Sequence, residues 1–313
     1  MAITLSRFAV TAASTILTTL VSGLAHAQSP QCPSTITACG CTIETSGTYT
    51  VANDLYASQG LTPRNGCIDI KSSNVDLFVD SYKIIGTGSN AGCDAAPQLR
   101  SGVGIHVLPG AYNILVEGEA EAVSGEMFAF VCGWNYGVES SGSGVYWRQF
   151  GLFQNGIGMF LNKAAVNTTY EIVADDNVTG VRVFEGFENL ITLVDAENNA
   201  HYGFWIDGTK SNNFSQGNGY SHNVGSFNGI AGFYIGCSAT GDIKSTAPCV
   251  TTDNTLEYNS AEFNRFYGIA VERGSVGNLI EDNGVLNQPT EIIDGNGTCK
   301  DNTYRHNGAP CVH

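Results

Sequence analysis

The protein has 313 residues, and its 14 Lys and Arg against 29 Asp and Glu give a formal net charge of −15 at pH 7. This surplus of acidic residues argues against nucleic acid as a partner. It also argues against diffuse attraction to polyanions or anionic lipid, because the field of the whole chain repels them unless a local cation or a bridging divalent ion intervenes.

The first 27 residues have the pattern of a secretory signal peptide. Arg7 supplies the positive charge, residues 8–24 are apolar, and Ala25-His26-Ala27 offers the small residues that signal peptidase requires. A membrane anchor made from the same residues is the alternative, but no stop-transfer flank follows. No second long apolar run follows either, so we expect a mature chain, 28–313, without a transmembrane segment. The protein is predicted to be secreted or periplasmic.

Ten cysteines lie in the predicted mature chain, and an even number in an exported protein indicates disulfides. Cys237 and Cys249 bracket a loop-like segment, and Cys299 and Cys311 bracket the C-terminus at the same spacing, so we predict these two local pairs. The six remaining cysteines allow fifteen pairings, among which the sequence does not choose. A zinc site is the competing interpretation, but the close spacing of Cys39 and Cys41 does not suit one.

A repeated phrase, glycine followed by an apolar-x-apolar strand, runs along the chain from about residue 100, with several gaps of about 21 to 23 residues. Its copies begin at Gly104, Gly137, Gly158, Gly180, Gly203, Gly232 and Gly268. A second phrase, Asn-x-x-x-x-Asn, recurs at Asn213, Asn254, Asn278 and Asn302. Short strands separated by Gly, Asn and Asp leave no room for a helix, and this period predicts stacked coils. Leucine-rich repeats share the period but need a leucine frame that is absent.

The repeat resembles bacterial right-handed parallel β-helix proteins of the pectin-lyase-like superfamily. Thr48-Tyr49-Thr50-Val51, Cys67-Ile68-Asp69-Ile70 and Asp301-Asn302-Thr303-Tyr304 extend the resemblance over nearly all of 28–313. It implies an all-β, single-stranded, right-handed parallel β-helix. The match lies in the repeat and not in a catalytic motif, and this superfamily includes polysaccharide lyases, hydrolases, epimerases and proteins with no known reaction. Fold therefore does not give function.

Both ends of such a stack expose strand edges that need covers. We expect an N-terminal cap region at 28–67 and a C-terminal cap at 299–311, because cysteines lie in both. The predicted fold is thus a solenoid with disulfides at its ends.

Alternation along the strand after each repeat glycine predicts one outward-facing column. Its members are His106, Glu139, Phe160, Arg182, Trp205, Tyr234 and Ala270, and the next outward position adds Asp207 and Glu272. Solvent-facing Phe160, Trp205 and Tyr234 would stack against sugar rings, so we predict a ligand-binding face that also includes Glu272. The alternatives are a satellite core beneath long side loops and a protein contact surface.

Asp207 and Arg182 are the candidate catalytic residues. A lyase needs a base together with a cation or Ca²⁺ that stabilises the enolate, whereas a hydrolase needs two carboxylates, here Asp207 with Glu272 or Glu185. The acidic spots Asp175-Asp176 and Asp195-x-Glu197 are candidates for Ca²⁺ as a cofactor.

The function hypothesis is an exported protein that engages an extracellular polysaccharide, as a lyase or a hydrolase. A neutral glycan, or a uronate bound through Ca²⁺, suits the acidic chain best. The alternative is a non-catalytic structural or adhesion β-helix. The sequence leaves the oligomeric state open.

Overall fold

The computed structural model describes residues 29–57, 66–94, 100–119, 129–208, 215–245, 249 and 251–313, and the predicted signal peptide lies outside these ranges. Within them the secondary structure is entirely β. The strands are β1 (Thr35–Ile36), β2 (Cys41–Ile43), β3 (Gly47–Val51), β4 (Leu55–Tyr56), β5 (Gly66–Ile70), β6 (Val75–Asp80), β7 (Lys83–Ile85), β8 (Val103–Val107), β9 (Tyr112–Gly118), β10 (Phe130–Cys132), β11 (Tyr136–Ser140), β12 (Ser143–Phe153), β13 (Ile157–Asn162), β14 (Thr168–Val173), β15 (Thr179–Phe184), β16 (Leu190–Thr192), β17 (Val194–Asp195), β18 (Tyr202–Asp207), β19 (Ser215–Gln216), β20 (Gly219–Ser221), β21 (Ala231–Ile235), β22 (Thr251–Thr252), β23 (Thr255–Glu257), β24 (Ser260–Glu262), β25 (Tyr267–Val271), β26 (Leu279–Glu281), β27 (Gly284–Leu286), β28 (Thr290–Asp294), β29 (Thr303–Arg305) and β30 (Cys311–Val312).

The strands stack into two long parallel sheets. An eleven-stranded sheet, which we call the front sheet, has the order β2-β5-β8-β11-β13-β15-β18-β21-β25-β28-β30. A fifteen-stranded sheet, the back sheet, has the main order β1-β3-β6-β9-β12-β14-β16-β20-β23-β26-β29, with β4, β7, β10 and β17 pairing beside it. Each strand pairs in parallel with its counterpart one coil along the chain. The fold is a parallel β-helix, as the repeat predicts.

The core consists of the inward side chains, which lie above one another from coil to coil. On the front sheet the register aligns Val138, Met159, Val181, Phe204 and Phe233, all of them fully buried. The rings of Phe204 and Phe233 stack with centroids 4.5 Å apart. The two rings can stack because successive coils are about 4.8 Å apart, which is close to the spacing of stacked aromatic rings.

Three ladders of asparagines, all buried except the terminal Asn307, mark the bends between strands. They comprise Asn167, Asn189, Asn218, Asn254, Asn278 and Asn302; Asn223, Asn259, Asn283 and Asn307; and Asn155, Asn177, Asn199, Asn228 and Asn264. In each ladder the side-chain oxygen of one asparagine accepts the backbone N–H of the asparagine one coil earlier. The later Asn-x-x-x-x-Asn phrases contribute one residue to each of the first two ladders, while Asn213 lies outside the described residues.

Asn254 illustrates the bonding of one rung. Its backbone N–H and its amide both donate to Asn278 Oδ1, at 3.1 and 3.0 Å, and the amide also donates to the carbonyl of Ser215. Asp253, the residue before it, has a φ of 54°. This left-handed turn is the conformation that lets the chain bend while the asparagine points inward.

Five disulfides fasten the solenoid, and every described cysteine is paired. They join Cys32 to Cys41, Cys39 to Cys67, Cys93 to Cys132, Cys237 to Cys249 and Cys299 to Cys311. The two local pairs that the spacing predicts are therefore both formed. Of the three pairs that the sequence leaves open, two lie within 28–67 and the third ties the segment before Asp94 to β10.

Replacing Asn254 by Ala is expected to lower the free energy of unfolding by about 2 to 4 kcal/mol, because it leaves several buried donors and acceptors without partners. Asn307→Ala is the matched control. Asn307 ends its ladder on the last coil and is partly exposed, so its loss is expected to cost only about 1 kcal/mol. Denaturant unfolding followed by circular dichroism measures both values. Equal losses would show that ladder position is irrelevant.

Candidate functional site

The outward column predicted from alternation exists in the front sheet. We call it the outer column, and with one earlier member it comprises Asp69, His106, Glu139, Phe160, Arg182, Trp205, Tyr234 and Ala270. Phe184 and Asp207 are paired two residues further along their strands, at the next outward position. The predicted site residues therefore lie on one face of the sheet, with neighbouring members separated by about 4.8 Å.

A loop covers the later part of this column. The loop, which we call the covering loop, is described at residues 236–245 and 249, and the Cys237–Cys249 disulfide closes it. The indole N–H of Trp205 donates to Gly236 O at 2.7 Å, and Ile243 packs in one cluster with Trp205 and Tyr234. Tyr234 is fully buried and Trp205 is 8% exposed. The prediction that the rings of Phe160, Trp205 and Tyr234 face solvent is therefore wrong. Trp205 and Tyr234 belong to the core of a satellite cluster, and Phe160, which packs against Tyr136 and Arg182, is only 7% exposed.

Glu272 anchors the covering loop. It is fully buried, and its Oε2 accepts the backbone N–H groups of Cys237 and Ser238 and the hydroxyl of Tyr234. Tyr202 adds a hydrogen bond to Ser238 O at 2.8 Å. A carboxylate that is enclosed and bonded in this way holds a loop, and it does not face a ligand in this conformation.

Arg182 and Asp207 meet as the sequence predicts. An Nη of Arg182 donates to Asp207 Oδ2. The guanidinium carbon lies 3.9 Å from the ring centre of Trp205, and 5.4 Å from the ring centres of both Phe160 and Phe184. The Arg182 side chain is 23% exposed, against 5% for Asp207. Arg182 is thus a cation clamped among aromatic rings, with part of its surface open to solvent.

Asp207 titrates far from the usual range of a carboxyl group. Burial raises the pKa of Asp207 to about 6, the charge and hydrogen bond of Arg182 oppose that rise, and the negative charges of Glu272 and Glu185 add to it. Glu185 is itself held by Lys163, at 3.2 Å. A carboxyl group with a pKa near neutrality can both donate and accept a proton, which is the property required of a general acid or base.

The earlier part of the outer column carries a polar group that sequence reasoning did not select. His106 Nδ1 lies 3.3 Å from Asp69 Oδ1, and its Nε2 lies 4.0 Å from Glu139 Oε2. The Gly66 N–H holds Asp69, and the Asn162 amide holds Glu139. Alternation does predict His106 and Glu139 as outward residues. Asp69 was missed because its strand precedes the first clear copies of the glycine phrase.

The acidic residues proposed for calcium lie away from this face. Asp195 belongs to β17, which pairs in the back sheet. Burial raises the pKa of Asp175 to about 7 and also raises the pKa values of Asp195 and Glu197. Within the described ranges, a group with metal-ligand spacing is found elsewhere, at Glu281, Asp282 and His306 near the C-terminus. Calcium binding at Asp175-Asp176 or Asp195-x-Glu197 stays a prediction.

No protein-family model and no curated protein matches the sequence. Among solved structures, the chain is similar to the Dettilon tailspike protein gp208, with 14% identity and a TM-score of 0.50 over 84% of this chain and 53% of that one. The chain is a parallel β-helix protein. It spans about half the length of that tailspike, and at this identity the likeness concerns the fold alone.

Two further structures are similar over most of this β-helix. The enzymatically active domain of bacteriophage CBA120 tailspike protein 2 has 12% identity and a TM-score of 0.49, covering 88% of this chain and 42% of that one. The A-module of the Azotobacter vinelandii mannuronan C-5 epimerase AlgE4 has 13% identity and a TM-score of 0.49, covering 89% and 88%. The described part of the chain contains no helix that is long and apolar enough to cross a bilayer.

Removing the Cys237–Cys249 bond, by replacing both cysteines with Ser, is expected to loosen the covering loop and expose Trp205. The other two tryptophans, Trp134 and Trp147, are at most 1% exposed, so a change in emission would report on Trp205. We expect a red-shifted emission, stronger quenching by acrylamide and a loss of stability of about 2 kcal/mol. The control removes Cys299–Cys311, a bond of equal sequence separation, and should leave the emission unchanged. A Trp205 signal that responds equally to both changes would contradict this account.

The stability of the protein is expected to fall as pH rises from about 4 to about 7. An unfolded Asp ionises near 3.9, whereas the pKa of folded Asp175 is about 7. Between these values the unfolded state binds fewer protons, so the free energy of unfolding decreases with pH. Asp175→Asn should flatten this dependence, while the exposed Asp301→Asn should not. Thermal melts at pH 4.5, 6 and 8 measure it, and an unchanged slope in Asp175→Asn would contradict the assignment.

Proposed function

We propose that the protein engages an extracellular polysaccharide along the outer face of the front sheet, with Arg182 and Asp207 at the centre of the site. The observation that carries the proposal is the Arg182 guanidinium, which lies against Trp205 and is paired with a carboxyl group whose pKa is about 6. Phe160 and Trp205, which are 7% and 8% exposed, hold the guanidinium and present little ring surface.

The part of the outer column before the covering loop carries polar groups that suit a sugar chain. It runs from Asp69 to Arg182 over five coils, a length on the order of 20 Å. Partly exposed polar groups, His106 and Glu139, lie on this face and can bond the hydroxyl groups of a sugar. Tyr234 and Glu272 act here through the covering loop, which they hold in place.

Arg182 matters for selectivity because the chain as a whole is strongly acidic. A local guanidinium gives a uronic-acid carboxylate a bidentate partner without requiring a bridging cation. Neutral glycans would rely on the rings and the polar side chains alone. The site therefore supports uronate-containing glycans over neutral ones, and calcium is a separate variable in the test.

Asp207 supports turnover as well as binding. In a hydrolase it would protonate the leaving glycosidic oxygen, and Glu185, whose charge already acts on Asp207, is the second carboxylate. In a lyase, ionised Asp207 would remove the C5 proton, the C–H electrons would form the C4–C5 double bond, and the C4–O bond would break. The electron pair of that bond would stay on the leaving oxygen, which would take a proton from the newly protonated Asp207 or from water. Arg182 would then stabilise the charge that develops on the uronate carboxylate.

The proposed location is secreted or periplasmic. Five disulfides form and persist in oxidising compartments and are rare in the cytosol. This agrees with the signal peptide proposed at 1–27, whose removal leaves every cysteine in the chain.

A structural or adhesion role is the second candidate, and one observation favours it. Large apolar side chains are exposed along the rod, which is typical of contact surfaces. They include Val166, Phe187, Leu190, Phe227, Tyr258 and Phe263. Adhesion through these side chains requires neither Arg182 nor Asp207, so variants of that pair separate the two candidates.

The test is a glycan panel with the purified protein, with and without Ca²⁺. Calorimetry measures binding, absorbance measures unsaturated products, and a reducing-end assay measures hydrolysis. Unsaturated products identify a lyase, and new reducing ends without them identify a hydrolase. Binding without products would support a glycan-binding role and contradict a catalytic one. No binding anywhere in the panel favours the structural role.

Arg182→Lys is expected to weaken binding of the selected glycan about tenfold, because lysine keeps the charge but loses the planar stack and the bidentate geometry. Asp207→Asn should preserve binding and abolish turnover. The matched control is Arg148→Gln, which removes the partner of Glu117 on the back sheet and should change neither property. Wild-type binding by Arg182→Lys, with turnover retained in Asp207→Asn, would overturn the proposed site.

A further inference from the structure

A cavity lies beside the back sheet, between the segment that ends at Asp94 and strands β10 and β12. Its volume is about 340 Å³, within the range of small-molecule sites. Phe130, Phe153, Gln154, Asp94 and Asp176 line it. The Cys93–Cys132 disulfide ties the wall that carries Asp94 to β10, so both sides of the cavity belong to one connected framework.

Two aromatic rings form the apolar part of the cavity. Phe130 and Phe153 meet edge to face, with centroids 5.4 Å apart. Gly151, which pairs with Phe130 across the sheet, leaves space for both rings, because a Cβ on that residue would collide with them. The aromatic pair is therefore a specific arrangement that depends on a glycine.

Two carboxylates form its polar part. Asp94 receives a hydrogen bond of 3.3 Å from the Asn90 amide, and Asp176 lies on an exposed turn. Across the described residues, neither Asp94 nor Asp176 takes part in an ion pair. The cavity thus combines ring faces with unneutralised negative charge, which is the composition that recognises organic cations.

An ammonium group of the protein itself already uses this chemistry. Lys83 Nζ lies 5.6 Å from the ring centre of Phe130 and donates to Ala91 O at 3.3 Å. Phe130 therefore accepts a cation in the folded protein. The ring of Phe153 has no described cation beside it.

We propose that this cavity binds an organic ammonium group, held over the ring of Phe153 by Asp94 and Asp176. The net charge of −15 raises the local concentration of such cations around the protein. An amino sugar and a quaternary ammonium compound carry the same recognised chemistry. This proposal does not depend on the polysaccharide site, since it shares no residue with it.

The experiment uses calorimetry on the purified protein with three probes: glucosamine oligomers, their N-acetylated counterparts, and choline. We expect the free amine to bind and its acetylated form to bind at least tenfold more weakly, since acetylation removes the charge. Choline binding would extend the site to quaternary ammonium in general. Failure of choline alone would restrict it to primary amines, which can donate hydrogen bonds to the carboxylates.

Variants test the residues from both directions. Asp94→Asn and Asp176→Asn should each weaken binding of the free amine about three- to tenfold, while Glu188→Gln, an equal change of charge at an exposed turn outside the cavity, should not. Lys83→Met should tighten binding about threefold, because it removes a competing positive charge beside Phe130. A gain of affinity is not produced by misfolding. Equal binding of acetylated and free amines, or weaker binding by Lys83→Met, would overturn the proposal.

Discussion

The hydrogen bond from one asparagine to the asparagine of the next coil is the interaction on which the rest of this structure depends. Strand pairing satisfies the backbone in the sheets, but at each bend the backbone N–H of the asparagine points toward the interior, where water is excluded. There, the side-chain oxygen of Asn278 accepts two donors from Asn254, and the bond from the backbone N–H recurs along all three ladders. Each asparagine must therefore lie directly over the asparagine of the preceding coil. This requirement fixes the register of both sheets. Arg182 reaches Trp205 and Asp207 as a consequence of that register.

The ladders leave loop length free. Asn177, Asn199, Asn228 and Asn264 are successive rungs of one ladder, yet they are separated by 22, 29 and 36 residues. Their hydrogen bonds are 2.9 to 3.0 Å long at every step. Insertions between rungs therefore change the outside of the rod without disturbing its register. The covering loop is such an insertion, and it converts the part of the outer column around Tyr234 from surface to satellite core. The ladders fix the scaffold, and the loops inserted between successive rungs shape the surface.

This division explains how far the sequence predicts the site. Alternation and period place Arg182 beside Trp205 and bring Asp207 within reach, because both follow from the register alone. They do not predict that Tyr234 is buried, since that depends on how the covering loop folds back through Gly236 and Glu272. Asp69 was not predicted as a member of the outer column for another reason. The first coils lack a clear repeat phrase, and the outward character of Asp69 becomes evident only when β5 pairs with β8. The three N-terminal disulfides likewise depend on which coils are adjacent.

Electrostatics decides which of the outward residues can do chemistry. The chain is strongly acidic, and burial raises the pKa of Asp207 in the same way as that of Asp175. The two pKa values differ because only Asp207 has a cation, Arg182, beside it. Arg182 lowers the pKa of Asp207 toward about 6, whereas Asp175 has only acidic residues among the charges that act on it, and its pKa reaches about 7. Arg182 also stays partly exposed, since the rings that clamp it cover its faces and leave part of its edge open. The register thus sets beside a buried carboxyl group a cation that is still partly exposed to solvent.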